Sequence, residues 1–172
     1  HQLHNAAVAL TAATVMQQRG WHITDEQIRE GLADVRWPGR FDVRRKDPLF
    51  IIDGGHNPQC IQALVKNIQD YLADRPLTIL TGVLADKDYN CMYRNVEPYA
   101  KEFITVTPGN PRALNAHELA KYLSQFGNPV TACDVVADGV RLAVAHAGRD
   151  GVVLCYGSLY MIGEIEAGLQ QL

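Results

Sequence analysis

Ile51-Ile52-Asp53-Gly54-Gly55-His56-Asn57-Pro58 decides how the rest of the chain is read. The apolar run before Asp53 reads as the end of a buried strand. Gly54 and Gly55 make a turn in which the backbone approaches a ligand with no Cβ in the way. Asn57 and Pro58 suit the N-cap and first position of a helix. A strand, a Gly-rich polar turn and a helix, in that order, form the unit of an open α/β sheet. In such sheets ligands sit beyond the carboxyl ends of the strands. The helix start turns free N–H groups and a positive dipole end toward the ligand, which favours an anion.

Working outward, the same unit recurs. Short apolar runs predict strands over 77–80, 103–106, 130–131 and 151–155. Between them lie helical patterns over 58–72, 91–99 (interrupted by Pro98), 115–124 and 134–147, with a last helix from Ser158. Ile61, Leu64, Val65 and Ile68 show the spacing of one helix face. Just upstream, 41–45 and 49–52 read as two strands joined by Lys46-Asp47-Pro48. This alternation predicts a Rossmann-like, mostly parallel sheet with helices on both faces. The first residues differ. The run 3–18 is rich in Ala, Val, Leu and Met and predicts a buried helix stopped by Gly20. Thr24 with Gln27 reads as a capping box opening a second helix, with Ile28 and Leu32 as its apolar face. Trp37-Pro38-Gly39-Arg40 breaks that pattern. The expected division is a short helical segment over 1–36 and an α/β domain over 37–172.

A chain of 172 residues is long enough to bury a core, and 47% hydrophobic with 20% charged residues is globular composition. A net charge of −3 argues against nonspecific nucleic-acid binding, which needs a basic face. No apolar stretch reaches the roughly 20 residues of a membrane span, and no signal peptide opens the chain. The cytoplasm is the expected compartment. Cys60, Cys91, Cys133 and Cys155 lie far apart without a CxxC pair, so structural zinc is not expected. Three of the four stand in contexts typical of buried, reduced thiols. His1 and His4 have helical spacing but no third ligand, so no metal site is expected. The chain begins with histidine, which suggests a fragment or a processed product.

Three polar strand ends carry the chemistry: 53–57, 81–88 and 156–160. A parallel sheet places them along one edge. Asp53 suits a ribose hydroxyl pair, or forms the turn by bonding its own backbone. His56 suits a phosphate or a base, or is a plain turn histidine. Lys87, between Asp86 and Asp88, is a point cation for a carboxylate or phosphate, or part of a solvated charge cluster. Arg40 follows a rigid Pro-Gly turn and suits phosphoryl charge, or pairs with Asp42 or Asp47. No GxxxxGK[ST] loop and no nucleophile elbow occur, so these residues read as half of an active site.

Trp37-Pro38-Gly39-Arg40, the 53–58 run, Gly82 with Asp86-Lys87-Asp88, Asn110-Pro111-Arg112-Ala113 and Gly157-Ser158-Leu159-Tyr160 occur in that order. Together they closely resemble the C-terminal part of the bifunctional dihydrofolate synthase/folylpolyglutamate synthase family, within the Mur ligase superfamily. The resemblance covers essentially the whole chain, with the start resembling the tail of the family's central ATPase domain. It implies an ATP-dependent ligase that adds L-glutamate to dihydropteroate and to folates through an acyl phosphate. It implies ATP and Mg2+ as cofactors, with the P-loop and most magnesium ligands upstream, so that this polypeptide alone is inert. By motif matching, Arg40 resembles a phosphate-contacting, catalytic arginine. Asp53 resembles a ribose ligand, His56 a nucleotide-contacting histidine and Asn5 an asparagine near the adenine. Asn57, Lys87 and Ser158 resemble amino-acid-binding groups, Lys87 also with a catalytic part. Two other readings stay open. One is a Mur-type cell-wall or cyanophycin-type ligase domain. The other is a free-standing nucleotide- or amino-acid-binding module.

Overall fold

The computed structural model describes residues 2–172. The described residues form two compact units, residues 2–38 and 39–172. The first unit holds α1 (Gln2–Gln18) and α2 (Asp25–Asp34). The expected capping box of α2 is present: Thr24 Oγ1 accepts from the Gln27 N–H at 3.2 Å, and Gln27 Oε1 accepts from the Thr24 N–H at 2.9 Å. The expectation of a buried first helix is overturned, because α1 contains no buried residue. Leu3, Val8, Leu10 and Val15 are all exposed. The apolar residues are spread around this helix instead of along one stripe, so one neighbouring helix cannot cover them.

The second unit is the α/β domain. Its strands are β1 (Asp42–Lys46), β2 (Leu49–Asp53), β3 (Leu77–Thr81), β4 (Ala100–Val106), β5 (Val130–Cys133) and β6 (Val152–Tyr156). They form one sheet in the order β1-β2-β6-β3-β4-β5. All pairings are parallel except β1 with β2, a hairpin closed through Asp47-Pro48. The helices are α3 (Pro58–Tyr71), α4 (Tyr89–Val96), α5 (Ala116–Leu123), α6 (Val136–Ala147) and α7 (Ile162–Leu169). Short 3-10 turns lie at Glu97–Tyr99, Ser124–Phe126 and Leu159–Met161. Pro98 ends α4 one turn earlier than the expected helix, because its ring cannot continue the ladder.

The core obeys the period of two that a strand imposes. Ile51, Ile79, Phe103 and Leu154 face α3, α4 and α5 in one apolar cluster. Phe50, Ile52, Leu80, Ile104, Val153 and Cys155 face α6 and α7 in the other. β2, β3 and β6 are buried on both faces, so their sequences are predominantly apolar, broken in β3 only by the buried threonines Thr78 and Thr81.

This layering fixes where a ligand fits. β2 and β3 lead into helices on one face of the sheet, while β6, lying between them, leads into α7 on the other face. Neighbouring turns therefore part in opposite directions above β2, β6 and β3. A crevice at such a switch point is where open α/β sheets bind ligands.

Candidate functional site

The carboxyl ends of β2, β6 and β3 are level, with Asp53 and Thr81 both paired in register with Tyr156. Side chains and turns bind them into one rim. The Thr81 hydroxyl donates to the Tyr156 carbonyl at 2.8 Å. Its single proton is thereby used, so the 2.8 Å contact with the Tyr93 hydroxyl has Tyr93 as donor. The Gly157 N–H donates to the Gly55 carbonyl at 3.1 Å. Gly157 has φ +117°, and a Cβ there would lie 2.5 Å from the Gly82 carbonyl oxygen. No other residue type fits this junction without moving backbone.

At the β2 end, Asp53 is 5% exposed and works inward. One carboxylate oxygen accepts from the Gly55 N–H at 2.8 Å, the other from the Phe41 N–H at 3.0 Å. Burial pushes its carboxyl above the ordinary value of 3.8, against the downward pull of the Gly55 and Phe41 N–H groups and of Arg40's charge. Of the two readings of Asp53, the structure shows the turn-forming one. It also fastens a strained segment, since Phe41 sits at φ +49° and Gly39 at φ +74° on either side of Arg40. The Gly54 N–H donates to the Gly39 carbonyl at 2.6 Å, and the Gly39 N–H donates to Asp42 at 3.2 Å. Arg40 is thus held from both sides against the β2 turn.

Arg40 is half-buried, and its guanidinium touches Cys60 Sγ at 3.8 Å, on the first turn of α3. The expected alternative, a pair with Asp42 or Asp47, is not formed: Asp42 is taken by Arg44 at 3.1 Å, and Arg44 also pairs with Glu166. Among the described residues no carboxylate lies within ion-pair distance of Arg40. His56 Nδ1 lies 2.8 Å from the Gly54 carbonyl, which can only accept, so Nδ1 carries the proton and Nε2 is left for a ligand. Asn57 is the N-cap of α3: its oxygen accepts from the Cys60 N–H at 2.9 Å, and its amide NH2 stays free.

Lys87 lies in the loop after β3, half-buried. The charge cluster expected around it is resolved otherwise. Asp86 pairs with Arg112 at 3.0 Å, and Asp88 caps α4 by accepting from the Cys91 N–H at 3.1 Å. Lys87 Nζ has no hydrogen-bond or ionic partner among the described residues. Ser158, 5% exposed, caps the turn after β6, its hydroxyl oxygen accepting from the Tyr160 N–H at 3.2 Å. Its own proton is still available to donate. Asn5 belongs to α1 of the first unit, where it is exposed and donates to Gln2 at 3.5 Å.

The second unit therefore gathers Arg40, Asp53, His56, Asn57, Lys87 and Ser158 along one rim, with the free groups mostly cationic or N–H donors. That is the chemistry of an anion site for phosphate and carboxylate. One participant escapes sequence reasoning. Tyr93 has no motif, and only its packing beneath the rim, with its hydroxyl on Thr81, reveals its part. Cysteine burial was also overstated: Cys155 is buried, whereas Cys60, Cys91 and Cys133 are half-exposed, and all four are free. Among the described residues no group of three or more His, Cys, Asp or Glu is placed to hold a metal ion. His1 lies outside the described residues. Among the described residues no helix is long and apolar enough to cross a membrane.

A doubly covered, mostly parallel sheet with a rim of polar strand ends at its switch point defines an open α/β domain of the kind that binds ligands at that edge. The chain belongs to the Mur ligase, glutamate ligase domain family, whose match spans residues 39–159. It is 39% identical over 116 residues to the folylpolyglutamate synthase of Lacticaseibacillus casei, covering 66% of this chain and 27% of that protein. Its fold superposes on Escherichia coli FolC in complex with DHPP and ADP with a TM-score of 0.84, at 26% identity, covering 97% of this chain and 39% of that one. It is similar to a bifunctional folylpolyglutamate synthase/dihydrofolate synthase with Mn, AMPPNP and L-glutamate bound, at TM-score 0.80 and 28% identity, over 93% of this chain and 38% of that one. The chain spans roughly a fifth to two-fifths of the length of the relatives it matches.

Proposed function

We propose that this chain is the glutamate-ligase part of a longer, cytoplasmic ATP-dependent folylpolyglutamate/dihydrofolate synthase. The observation that carries the reading is the pair of cations, Arg40 and Lys87, that form no ion pair among the described residues and lie on the rim at the switch point of the sheet. Support comes from relatives whose names and bound ligands include folylpolyglutamate synthesis, ADP, AMPPNP, manganese and L-glutamate. Four free cysteines suit a reducing compartment.

In this reading the pterin carboxylate attacks the γ-phosphorus of ATP, and ADP leaves. The amine of glutamate then attacks the acyl carbon. The C–O bond to phosphate breaks, phosphate departs with one former carboxylate oxygen, and the amine loses a proton. Arg40 faces the phosphoryl charge, held there by Asp53 through Phe41. His56 contacts the nucleotide through Nε2, which accepts a hydrogen bond from it. Asp53 reaches the ribose only through lone pairs that the Phe41 and Gly55 N–H groups leave over. Lys87 binds the glutamate carboxylate, assisted by the Asn57 amide and the Ser158 hydroxyl. Closing this rim over the rest of the enzyme excludes water, which would otherwise hydrolyse the acyl phosphate. A divalent cation, magnesium in the cell, neutralises the nucleotide phosphates when bound. The described residues offer it no ligand cluster.

The test is single-turnover kinetics on the full-length enzyme. Arg40→Ala is expected to slow acyl-phosphate formation by about a hundredfold or more, the scale of losing one charge-stabilising donor. Pterin affinity should be nearly unchanged. Equal losses in both would refute the assignment.

A further inference from the structure

We propose that Arg112 is a positioning residue for the ligation. It holds the Asp86 carboxylate away from its neighbour Lys87, so that the Lys87 ammonium stays available to the carboxylate of the incoming amino acid. This rests on the reading of Lys87 given under Proposed function.

Lys87 is flanked in sequence by two acids, and a loop lysine so placed would ordinarily be neutralised by one of them. Both acids are occupied elsewhere. Asp88 Oδ1 is committed to the first turn of α4 through the Cys91 N–H. Asp86 Oδ2 is committed to Arg112 Nη1 at 3.0 Å. Arg112 comes from a different loop, the one after β4, and the two loops are fastened together by backbone. The Ala85 N–H donates to the Arg112 carbonyl at 2.8 Å, and the Leu114 N–H to the Val83 carbonyl at 2.9 Å. Leu84 and Ala113 form an antiparallel bridge between them. Asn110 in turn fixes Arg112, its side-chain oxygen accepting from the Arg112 N–H at 2.9 Å. Asn110-Pro111-Arg112-Ala113, which the rest of the rim does not use, thereby acquires a task.

The Arg112 and Asp86 side chains are 54% and 47% exposed. Pairs at that exposure contribute little to folding, so stability is not what this one supplies. Its consequence is local. With Arg112 removed, the nearest cation left to Asp86 in sequence is Lys87.

The experiment is steady-state kinetics on the full-length enzyme, with glutamate, ATP and the pterin acceptor varied in turn. Arg112→Gln is expected to raise the glutamate KM about three- to five-fold, the weight of an exposed competing pair. The ATP KM and the Tm should not change. Adding Asp86→Asn to that variant is expected to restore the glutamate KM, because the competing carboxylate is gone. A raised KM that Asp86→Asn does not restore would overturn the positioning role and make Arg112 a direct substrate contact. An unchanged KM in Arg112→Gln would overturn it as well. Lys87→Met separates the underlying reading: a raised glutamate KM supports Lys87 as the carboxylate ligand whatever Arg112 does. An unchanged one overturns that ligand role and the present inference together.

Discussion

Replacing Asp53 by Ala probes the joint on which the rim hangs. The carboxylate accepts from two backbone N–H groups, those of Gly55 and Phe41, in a place only 5% exposed. Hydrogen bonds to a charged group are worth about 1.5–3 kcal/mol each, so the gross loss is about 3–6 kcal/mol. Two effects offset it. The cost of keeping a carboxylate buried disappears, and Phe41 at φ +49° is released from a strained conformation worth about 1–2 kcal/mol. A net loss of about 2–3 kcal/mol is expected at neutral pH. Asp53→Asn should lose less, since its one carbonyl still accepts one N–H while its NH2 faces the other donor. Because the folded carboxyl is raised above 3.8, the folded state holds this proton more tightly than the unfolded chain does. The wild-type advantage over Ala is therefore greatest below about pH 4 and narrows as pH rises from there through the folded value. The assay is urea unfolding followed by near-ultraviolet circular dichroism of tyrosine. Tyr93 and Tyr156 are fully buried in the second unit, whereas Trp21 and Trp37 belong to the first. Equal stability of Ala and wild type at neutral pH, or a gap that widens with rising pH, would refute the reasoning.

Gly157→Ala should destabilise the second unit by about 2–5 kcal/mol, combining a left-handed φ with a Cβ forced onto the Gly82 carbonyl. The same urea titration reads it, and a change below about 0.5 kcal/mol would contradict the close approach of those turns. His56→Ala in the full-length enzyme should raise the ATP KM about three- to ten-fold and leave the glutamate KM alone, as the loss of one hydrogen bond accepted by Nε2 from the nucleotide requires; equal effects on both would place it elsewhere. Thr24→Ala should cost α2 about 1 kcal/mol through its capping box, seen as increased fraying by amide hydrogen exchange over 25–34 with none in the sheet.

The sheet was legible because β2, β3 and β6 are buried on both faces and so appear as predominantly apolar runs, each followed by a glycine turn. Asn57 and Thr24 were legible as caps because their task is local. The exposure of α1 was not, since an Ala-rich helix looks the same whether or not something covers it. Nor were the partners of Arg40, Asp86 and Lys87. In sequence, Asp42 is equally near Arg40 and Arg44 and pairs with Arg44, and two acids lie beside Lys87, yet Asp86 pairs with Arg112 of another loop by way of the fold. Neighbours in the chain predict turns and caps well. They predict ion pairs poorly, because long side chains choose among groups that only the topology brings within reach.

The central claim is that this rim completes an acyl-phosphate ligase acting on a pterin carboxylate and glutamate. The most direct measurement supplies the full-length enzyme with ATP, glutamate and dihydropteroate labelled with oxygen-18 in its carboxylate, and follows the product and the released phosphate by mass spectrometry. The account predicts an amide-linked glutamate on the pterin and oxygen-18 transferred to the phosphate. Unlabelled phosphate, or label-bearing phosphate with a different amino acid joined to a different acceptor, would contradict it.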